Sequence, residues 1–396
     1  MPHTAPQLLR PRSTTARVLN EELFFDLVYV FAVTQLSHYL LDHLTLTGAA
    51  QALLMWFAVW LGWQYTAWVT NWFDPAALPI RILLFALMLA ALLMATALPE
   101  AFGERGIMFA ACYASIQVGR TVWVLAALPA GDPLRANFRR ILAWMLVSAA
   151  FWLVGGFTED PGARLQLWAA AVAIEYVAPM FGFAFPGLGR SATADWTIDG
   201  AHLAERCQLF VIVALGESIL AVGVALGHVT PWHGAAILHF AVAFASSLAL
   251  WWLYFDTGSA RAAHLIEHAD DPGRIGAQFH ATHVVLVAGI IVCAVANEVL
   301  IAYGDHHAGL REVAVALGGP GLYLLGNGLF KRVVYGRFPL SHLAGLAALA
   351  GVAVVVLAAA HGSVGTVGLG AMLVVLTVAA WESLARRRQA PVPHHA

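Results

Sequence analysis

Long apolar runs recur along the whole chain, and they restrict the fold more than any other feature. Cutting at Pro, Gly and charge clusters gives twelve runs of roughly 20 residues, each long enough to cross about 30 Å of hydrocarbon as a helix. Only 11% of the 396 residues are charged, against about 25% in soluble proteins. The sequence therefore predicts an all-α fold, a polytopic transmembrane helix bundle with about 12 membrane-spanning helices. The predicted segments are 21–43, 48–72, 79–99, 104–128, 137–157, 164–186, 202–227, 232–255, 279–302, 311–330, 339–361 and 364–385.

The tenth of these segments contains a cluster of helix-breaking residues. It is interrupted by Gly318, Gly319, Pro320 and Gly321. Irregular backbone at membrane depth is tolerated where neighbouring protein satisfies its polar groups. We therefore expect a broken or kinked helix at this point.

Lys and Arg residues concentrate in alternate connections between the runs. Of the 21, sixteen lie on the face shared with the N-terminus, three lie on the opposite face and two lie at membrane depth. Because basic loops are retained in the cytoplasm, we predict a multi-pass plasma-membrane protein with both termini cytoplasmic. The sixteen are Arg10, Arg12, Arg17, Arg81, Arg135, Arg139, Arg140, Arg190, Arg261, Arg274, Lys331, Arg332, Arg337, Arg386, Arg387 and Arg388.

Short motifs recur in the same order in the two halves of the chain. The letters WFD end at Asp74 and YFD end at Asp256, an offset of 182, and Glu22 matches Glu205 at an offset of 183. We expect two parallel six-helix repeats, a plan in which transporters place binding sites between the repeats. The predicted parts are a cytoplasmic tail at 1–20, halves at 21–190 and 191–385, and a second cytoplasmic tail at 386–396.

Two carboxylates one helical turn apart mark the first apolar run. Glu22 and Asp26 share a helix face, while His38 lies near the end of the run and away from that face. A charged side chain at the bilayer centre costs roughly 2.5 kcal/mol or more, so such groups face a protein interior and are paired. The two carboxylates can share a proton, a cation or an arginine. Alternatively, they anchor the helix by pairing with Arg206.

The seventh run is the second charged span. His202, Glu205, Arg206 and Glu217 fall on one helix face. Glu217, about four turns into the run, is the strongest functional candidate at membrane depth, and Gly216 beside it suggests close helix approach. The alternative is a Glu217 carboxyl that only hydrogen-bonds a neighbouring helix. We expect Asp26 to be the inner residue of a cluster with His202, Glu205 and Arg206.

The ninth run supplies His280, His283 and Glu298 on one broad face. Because a helix rises 1.5 Å per residue, His280 and Glu298 lie near opposite membrane surfaces and mark the ends of a polar path. The spacing of the two histidines resembles that of metal ligands, but no third ligand follows at a recognisable distance. We favour hydrogen-bonding or protonatable histidines and predict no metal site and no cofactor.

Deep polar and aromatic residues occur on the neighbouring runs as well. Arg120 needs a carboxylate partner, either Glu175 or a carboxylate of the first or seventh run. Trp56, Trp60 and Trp63 share one helix face. They form either an aromatic wall for an apolar or cationic ligand or ordinary core packing, which we favour.

Several stretches together resemble the bacterial low temperature requirement A (LtrA) family of integral membrane proteins. They are ELFFDLVYVFAVTQLSHYL at 22–40, WFD at 72–74, HLAERCQLFVIVALGESILAVG at 202–223, WWLYFD at 251–256 and THVVLVAGI at 282–290. The family name describes a growth phenotype, so the resemblance implies a multi-spanning membrane protein without a defined substrate. This chain has Val284 and Val285 where the family pattern usually continues with Pro. The matched motif residues are Glu22, Asp26, His38, Asp74, His202, Glu205, Arg206, Glu217, Asp256 and His283.

These observations favour a secondary transporter or permease with a protonatable cavity between the two halves. One alternative is a membrane-embedded enzyme in which Asp26, Glu217 and His283 act as acid and base on a lipid or isoprenoid-like substrate. Another is a membrane scaffold involved in low-temperature adaptation. The expected partners are the lipid bilayer and an unknown small-molecule or lipid-like ligand, with protons as a coupling ion. A net charge of -2 gives no support to nucleic-acid binding.

Overall fold

All regular elements in the described part of the protein are helices, apart from isolated β-bridges. The structure is a computed structural model, and it describes residues 8–10, 17–192, 198–256, 265–266, 269–359 and 362–389. Its helices confirm the predicted all-α class. They are α1 (Asn20–Asp42), α2 (Leu46–Trp72), α3 (Leu78–Glu100), α4 (Gly106–Ala127), α5 (Leu134–Phe157), α6 (Pro161–Met180), α7 (Gly200–His228), α8 (Gly234–Phe255), α9 (Pro272–Tyr303), α10 (Leu310–Tyr335), α11 (Leu340–Ala359) and α12 (Val364–Gln389).

Eleven of these helices are long and apolar enough to cross a membrane. In lipid, a helix satisfies its own backbone polar groups, which explains why the apolar runs adopt this form. The remaining helix, α6, carries Arg164, Gln166 and Glu175 within 20 residues, and these lower its mean hydropathy. The polytopic prediction is confirmed for eleven candidate spans, and the sixth predicted segment, 164–186, corresponds to a helix of mixed polarity.

The chain divides into two compact units. The first contains Met1–Leu209 and Ala263–Ala277, and the second contains Phe210–Ala262 and Gln278–Ala396. The boundaries fall inside α7 and α9, so each of these helices begins in the first unit and continues in the second. The predicted duplication of the halves stays a prediction.

Aromatic side chains fill the first unit between α4, α5 and α6. In this unit α1 packs against α2 and α3, α4 packs against α3 and α5, and α5 packs against α6. The rings of Trp152 and Trp168 have centroids 5.2 Å apart, and Phe109 lies 5.3 Å from Trp168. A Cβ placed on Gly155 would lie 2.6 Å from the Trp168 ring. A glycine is therefore needed where α5 approaches that indole.

Glycines bring α9 and α10 into backbone contact in the second unit, where α8 also packs against α12 and α10 against α11. A Cβ on Gly319 would lie 2.8 Å from the backbone nitrogen of Cys293, and one on Gly326 would lie 2.4 Å from that of Leu286. α10 continues through Pro320, so the helix is not broken there, and the alternative of a kink stays a prediction. The glycines serve close helix packing instead, as small residues do in membrane bundles.

Three basic residues that we assigned to the connections are buried. Lys331 is only 1% exposed and lies inside α10, and Arg140 is buried on α5. Arg164, one of the three residues that we assigned to the opposite face, is buried on α6. Their charges serve internal contacts, which is a correction to the topological interpretation of these three positions. The predicted orientation of the termini stays a prediction. Outside the described residues lie three others of the set: Arg12, Arg261 and the side chain of Arg388.

Candidate functional site

The first helix begins with a carboxylate whose two oxygens are both partnered. Glu22 is fully buried in the first turn of α1, and its Oε2 accepts a hydrogen bond from the backbone N–H of Leu19 at 3.0 Å. Arg10 Nη2 donates to the same oxygen at 2.8 Å, and His202 Nε2 lies 2.8 Å from Oε1. Buried charges are tolerated when they are paired in this way. Glu22 therefore has the contacts of a residue that fixes where α1 and α7 meet.

The end of α2 holds the partners of Glu22 in place. The backbone N–H of Arg10 donates to the carbonyl of Trp72 at 2.9 Å. Asn71 Nδ2 lies 3.1 Å from His202 Nδ1, and the Asn71 amide also exchanges hydrogen bonds with the backbone of Asp199. Asp199 Oδ1 in turn accepts from the backbone N–H of His202 at 2.9 Å. The first turn of α7 is thus positioned by residues far away in sequence.

One helical turn further along α1 lies a buried ion pair. Asp26 Oδ1 accepts hydrogen bonds from Arg206 Nη2 at 2.8 Å and from the indole N–H of Trp63 at 2.7 Å. Both charged side chains are 0% exposed. The guanidinium carbon also lies 5.6 Å from the centroid of the Trp63 ring, at cation–π distance. α1, α2 and α7 each contribute one side chain to this pair and its indole.

Four polar atoms around this ion pair have no hydrogen-bond partner among the described residues. They are Asp26 Oδ2, Arg206 Nε, Arg206 Nη1 and the hydroxyl of Tyr29. Tyr29 is fully buried and follows Asp26 on the same face of α1. Each unpaired buried polar group costs about 1–3 kcal/mol, so native proteins retain few of them and those retained need an explanation. Their concentration here makes the Asp26–Arg206 pair the candidate site of the first unit.

A second buried cation lies on α4, next to an irregular turn. The five residues Ser115–Gly119 form a π-helical turn directly before Arg120, a feature frequent at functional sites. Arg120 Nη1 donates to the carbonyl of Gly62 at 3.2 Å and to the hydroxyl of Thr66 at 3.1 Å. Arg120 Nη2 donates to the side-chain carbonyl of Gln117. Neutral acceptors thus hold this guanidinium.

The predicted ion pair between Arg120 and a carboxylate is wrong within the described residues. Their ion pairs do not include Arg120. Instead Gln117 Nε2 donates to the hydroxyl of Tyr113 at 2.8 Å, and Tyr113 donates to Glu175. Two neutral side chains therefore connect Arg120 to Glu175, because the π-helical turn places an amide and not a carboxylate beside the guanidinium.

Glu175 on α6 is a buried carboxylate held by neutral donors. Its Oε2 accepts from Tyr113, and its Oε1 accepts from the hydroxyl of Ser148 and from the indole N–H of Trp152 at 3.1 Å. Only 1% of Glu175 is exposed. Both oxygens of Glu175 accept hydrogen bonds, whereas one oxygen of Asp26 has no partner among the described residues.

Comparison with known proteins agrees with the motifs. Residues 17–380 match the family model described as Bacterial low temperature requirement A protein (LtrA). The chain belongs to the LtrA family. It is also similar to a protein of Rhizobium meliloti (strain 1021) that is itself named as uncharacterized, with 42% identity over 336 residues, which cover 82% of this chain and 79% of that relative. The resemblance that the motifs suggested is confirmed, and it supplies no substrate or reaction.

The LtrA motifs of α1 and α7 meet in the first unit. Asp26 contacts Arg206 and Glu22 contacts His202, so the structure brings these side chains of α1 and α7 together. Glu205 is half-buried and accepts a hydrogen bond at 3.1 Å from a backbone N–H just before α1. It therefore supports the chain leading into α1.

His38 and Glu217 are two other LtrA motif residues. His38 is exposed on α1, twelve residues and therefore about 18 Å along the helix axis from Asp26. Glu217 belongs to the second unit and is 5% exposed, and no hydrogen bond or ion pair joins its carboxyl group to another described residue. A Cβ on Gly216 would have no neighbour within 4 Å. The close helix approach predicted at Gly216 is therefore wrong, and its missing side chain leaves open space.

The histidines of α9 are buried in the second unit. His283 Nδ1 lies 2.7 Å from the carbonyl oxygen of Phe279, and its Nε2 lies 2.7 Å from the hydroxyl of Tyr254. His280 is also fully buried, while Glu298 is half-buried. Among the described residues, no group of three or more His, Cys, Asp or Glu side chains is placed to hold a metal ion. Both nitrogens of His283 are used in hydrogen bonds.

The aspartates that end the WFD and YFD motifs hold local structure. Asp74 Oδ1 accepts from the backbone N–H of Ala76 at 3.0 Å, which fixes the turn between α2 and α3. In the second unit, Asp256 pairs with Arg386 at 2.5 Å and accepts from Ser383 at 2.9 Å. These contacts explain both residues without a role in binding.

A polar cluster in the second unit was missed by the sequence reasoning. Lys331 Nζ lies 3.0 Å from Glu382 Oε2, and Ser341 donates to the other oxygen of Glu382. His342 Nε2 lies 2.8 Å from Asn327 Oδ1. The sequence does show polar residues on three neighbouring runs. They stand at positions that are typical of interfacial residues, so the sequence did not predict that they form a buried cluster.

Proposed function

We propose that this LtrA-family protein is a secondary transporter or permease that uses the Asp26–Arg206 ion pair as its coupling site. The observation that carries the proposal is the combination of a fully buried ion pair with unpartnered polar atoms on both partners. A purely structural pair gains most when every remaining hydrogen-bonding position is satisfied. Asp26 and Arg206 instead have unsatisfied hydrogen-bonding atoms that can bind a ligand or a proton.

The chemistry of the open positions suggests how coupling works. Asp26 Oδ2 is an acceptor and can take a proton, while Arg206 Nε and Nη1 are donors that suit an anionic group. Protonation of Asp26 removes its negative charge and leaves the guanidinium without its counter-ion. An anionic solute then replaces the carboxylate on Arg206, and release of the solute accompanies loss of the proton. One proton and one anionic group thus move together, and the site stays electrically neutral.

The surroundings of the pair support this assignment. Glu22 lies one turn before Asp26 with both oxygens occupied, so it holds α1 and α7 while Asp26 exchanges partners. Trp63 donates to Asp26 Oδ1 and covers the guanidinium, which keeps the carboxylate oriented during the exchange. Tyr29 places a hydroxyl beside the open positions.

Glu217 is proposed as a second protonatable group, in the second unit. Glu217 is 5% exposed, and its carboxyl group has no hydrogen bond or ion pair with a described residue. A carboxyl group inside a membrane-spanning helix is a functional candidate on these grounds. His38, His280 and His283 stay secondary candidates for binding or proton transfer, as the motif analysis predicted.

Flux measurements in proteoliposomes test the proposal. Under an imposed pH gradient, we expect the wild type to move protons or an added organic anion, and Asp26→Asn to move neither. Glu21→Gln is the matched control, because Glu21 lies on the same helix in a partly exposed pair with Arg81 at 2.6 Å; it should retain wild-type flux. Glu217→Gln should reduce proton-driven flux. Absence of any flux by the wild type, or full flux by Asp26→Asn, would contradict the proposal.

A further inference from the structure

An aromatic cavity lies in the first unit, beside Arg120. It has a volume of about 120 Å³. Its walls come from α2, α4, α5, the end of α6 with the segment after it, and the first turns of α9, and every lining residue belongs to the first unit. A cavity of about 150 Å³ holds one benzene molecule, so this space suits a single six-membered ring or a short acyl chain. The aromatic part of the wall consists of Tyr65, Trp68, Trp72, Phe138 and Phe183.

Arg120 is the one charged side chain among the residues that line this cavity. It is 2% exposed, it is held by the three neutral acceptors described above, and it forms no ion pair with a described carboxylate. Its guanidinium also lies 5.4 Å from the centroid of the Tyr65 ring. A buried cation without a counter-ion attracts an anion strongly because little solvent screens the charge. The cavity therefore combines one positive charge with aromatic walls.

A buried network fixes the wall of the cavity that is formed by the segment after α6. Gly182 adopts a φ of 62°, and the carbonyl oxygen of Ser191 lies 2.2 Å from where its Cβ would be. The backbone N–H of Ser191 donates to the Gly182 carbonyl at 2.7 Å, and Arg140 Nε donates to the Ser191 hydroxyl at 3.0 Å. Such a wall is built before a ligand arrives, which reduces the entropy lost on binding.

We propose that this cavity binds the apolar end of a small organic carboxylate and that Arg120 binds its carboxylate. An aromatic monocarboxylate fits best, since its ring matches the volume and its single charge matches the single cation. Gly62 connects this cavity to the coupling site: its carbonyl accepts from Arg120, and the hydroxyl of Tyr29 lies 3.2 Å from where a Cβ would be on Gly62. The inference rests on the proposed transport function in taking this ligand to be the transported solute, which Arg120 binds first and which moves to Arg206 when Asp26 is protonated.

Equilibrium binding to the purified full-length protein in detergent tests the inference without any ion gradient. The probes are benzoate, the neutral benzamide, and acetate, which has the charge without the ring. Changes in tryptophan fluorescence report binding, because Trp68 and Trp72 line the cavity. We expect benzoate to bind at least tenfold more tightly than benzamide or acetate.

Two variants separate the charge from the volume. Arg120→Gln should weaken benzoate binding at least tenfold and leave benzamide binding unchanged, whereas Ala277→Leu, which fills part of the cavity, should weaken both. Arg81→Gln is the control for loss of one arginine outside the cavity. Equal affinity of the wild type for benzoate and benzamide, or no saturable benzoate binding, would overturn the inference even if Arg120→Gln fails to fold. Because binding is measured without flux, a failure here is distinguishable from a failure of the transport proposal.

Discussion

Asp26 and Glu175 are two buried carboxylates in the same unit, and they differ in their hydrogen-bond partners. Asp26 faces a guanidinium and an indole with one oxygen, and its other oxygen has no partner among the described residues. Glu175 has no ion pair among these residues, yet neutral donors occupy both of its oxygens. A satisfied charge rigidifies a core, while a charge with open positions is available for chemistry. We therefore assign support to Glu175 and coupling to Asp26.

The largest expected effect comes from removing the cation opposite Asp26. Arg206→Gln leaves the Asp26 carboxylate buried without its counter-ion, and loss of one partner of a buried pair costs about 3–5 kcal/mol. We expect a strong decrease in the unfolding temperature of the purified protein in detergent, measured by differential scanning fluorimetry. The double variant Asp26→Asn/Arg206→Gln should recover most of this stability. An unfolding temperature of Arg206→Gln equal to that of the wild type would show that the pair is not buried.

A smaller effect on stability is expected at Glu175. Glu175→Gln replaces one carboxylate oxygen with an amide nitrogen, so Tyr113, Ser148 or Trp152 loses its acceptor. One unpaired buried donor costs about 1–3 kcal/mol. We expect a lower unfolding temperature and wild-type flux per folded molecule. Loss of flux at unchanged stability would reverse the roles assigned to Glu175 and Asp26.

Much of this contrast was visible in the sequence, because charged residues inside apolar runs are rare. Asp26 and Arg206 stood out for that reason, and the structure brings them together. The unpartnered atoms could not be predicted, since they depend on the distances between helices that are distant in sequence. The indole of Trp63 was missed as a donor because 14 tryptophans occur in the chain and most of them read as packing or interfacial residues.

Two features of the tenth apolar run and its boundary were the least predictable. We predicted that Lys331 lies in a cytoplasmic connection, yet it is buried and paired with Glu382. We predicted a broken or kinked helix at the glycines around Pro320, yet α10 continues through them. In both places the residue types favour one local structure when taken alone. A neighbouring helix changes this, because it lies close enough to pair the charge of Lys331 or to contact the glycine backbone of α10.

The smallest effect is expected for the exposed pair on the same helix as Asp26. Glu21 and Arg81 lie 2.6 Å apart, but their side chains are 20% and 39% exposed, and surface ion pairs contribute about 0–1 kcal/mol. Glu21→Gln should leave the unfolding temperature nearly unchanged at physiological salt. A decrease as large as that of Arg206→Gln would mean that the contribution of an ion pair on α1 to stability does not depend on its burial.

The most direct test of the central claim is proton-driven flux by Asp26→Asn and Glu175→Gln, measured side by side in proteoliposomes with equal amounts of folded protein. Asp26→Asn leaves the buried Arg206 without its counter-ion, so both variants lower stability and flux is compared per folded molecule. We predict that Asp26→Asn abolishes flux per folded molecule, while Glu175→Gln keeps its flux despite lower stability. Flux retained by Asp26→Asn, or lost equally in both variants, would contradict the assignment of coupling to Asp26.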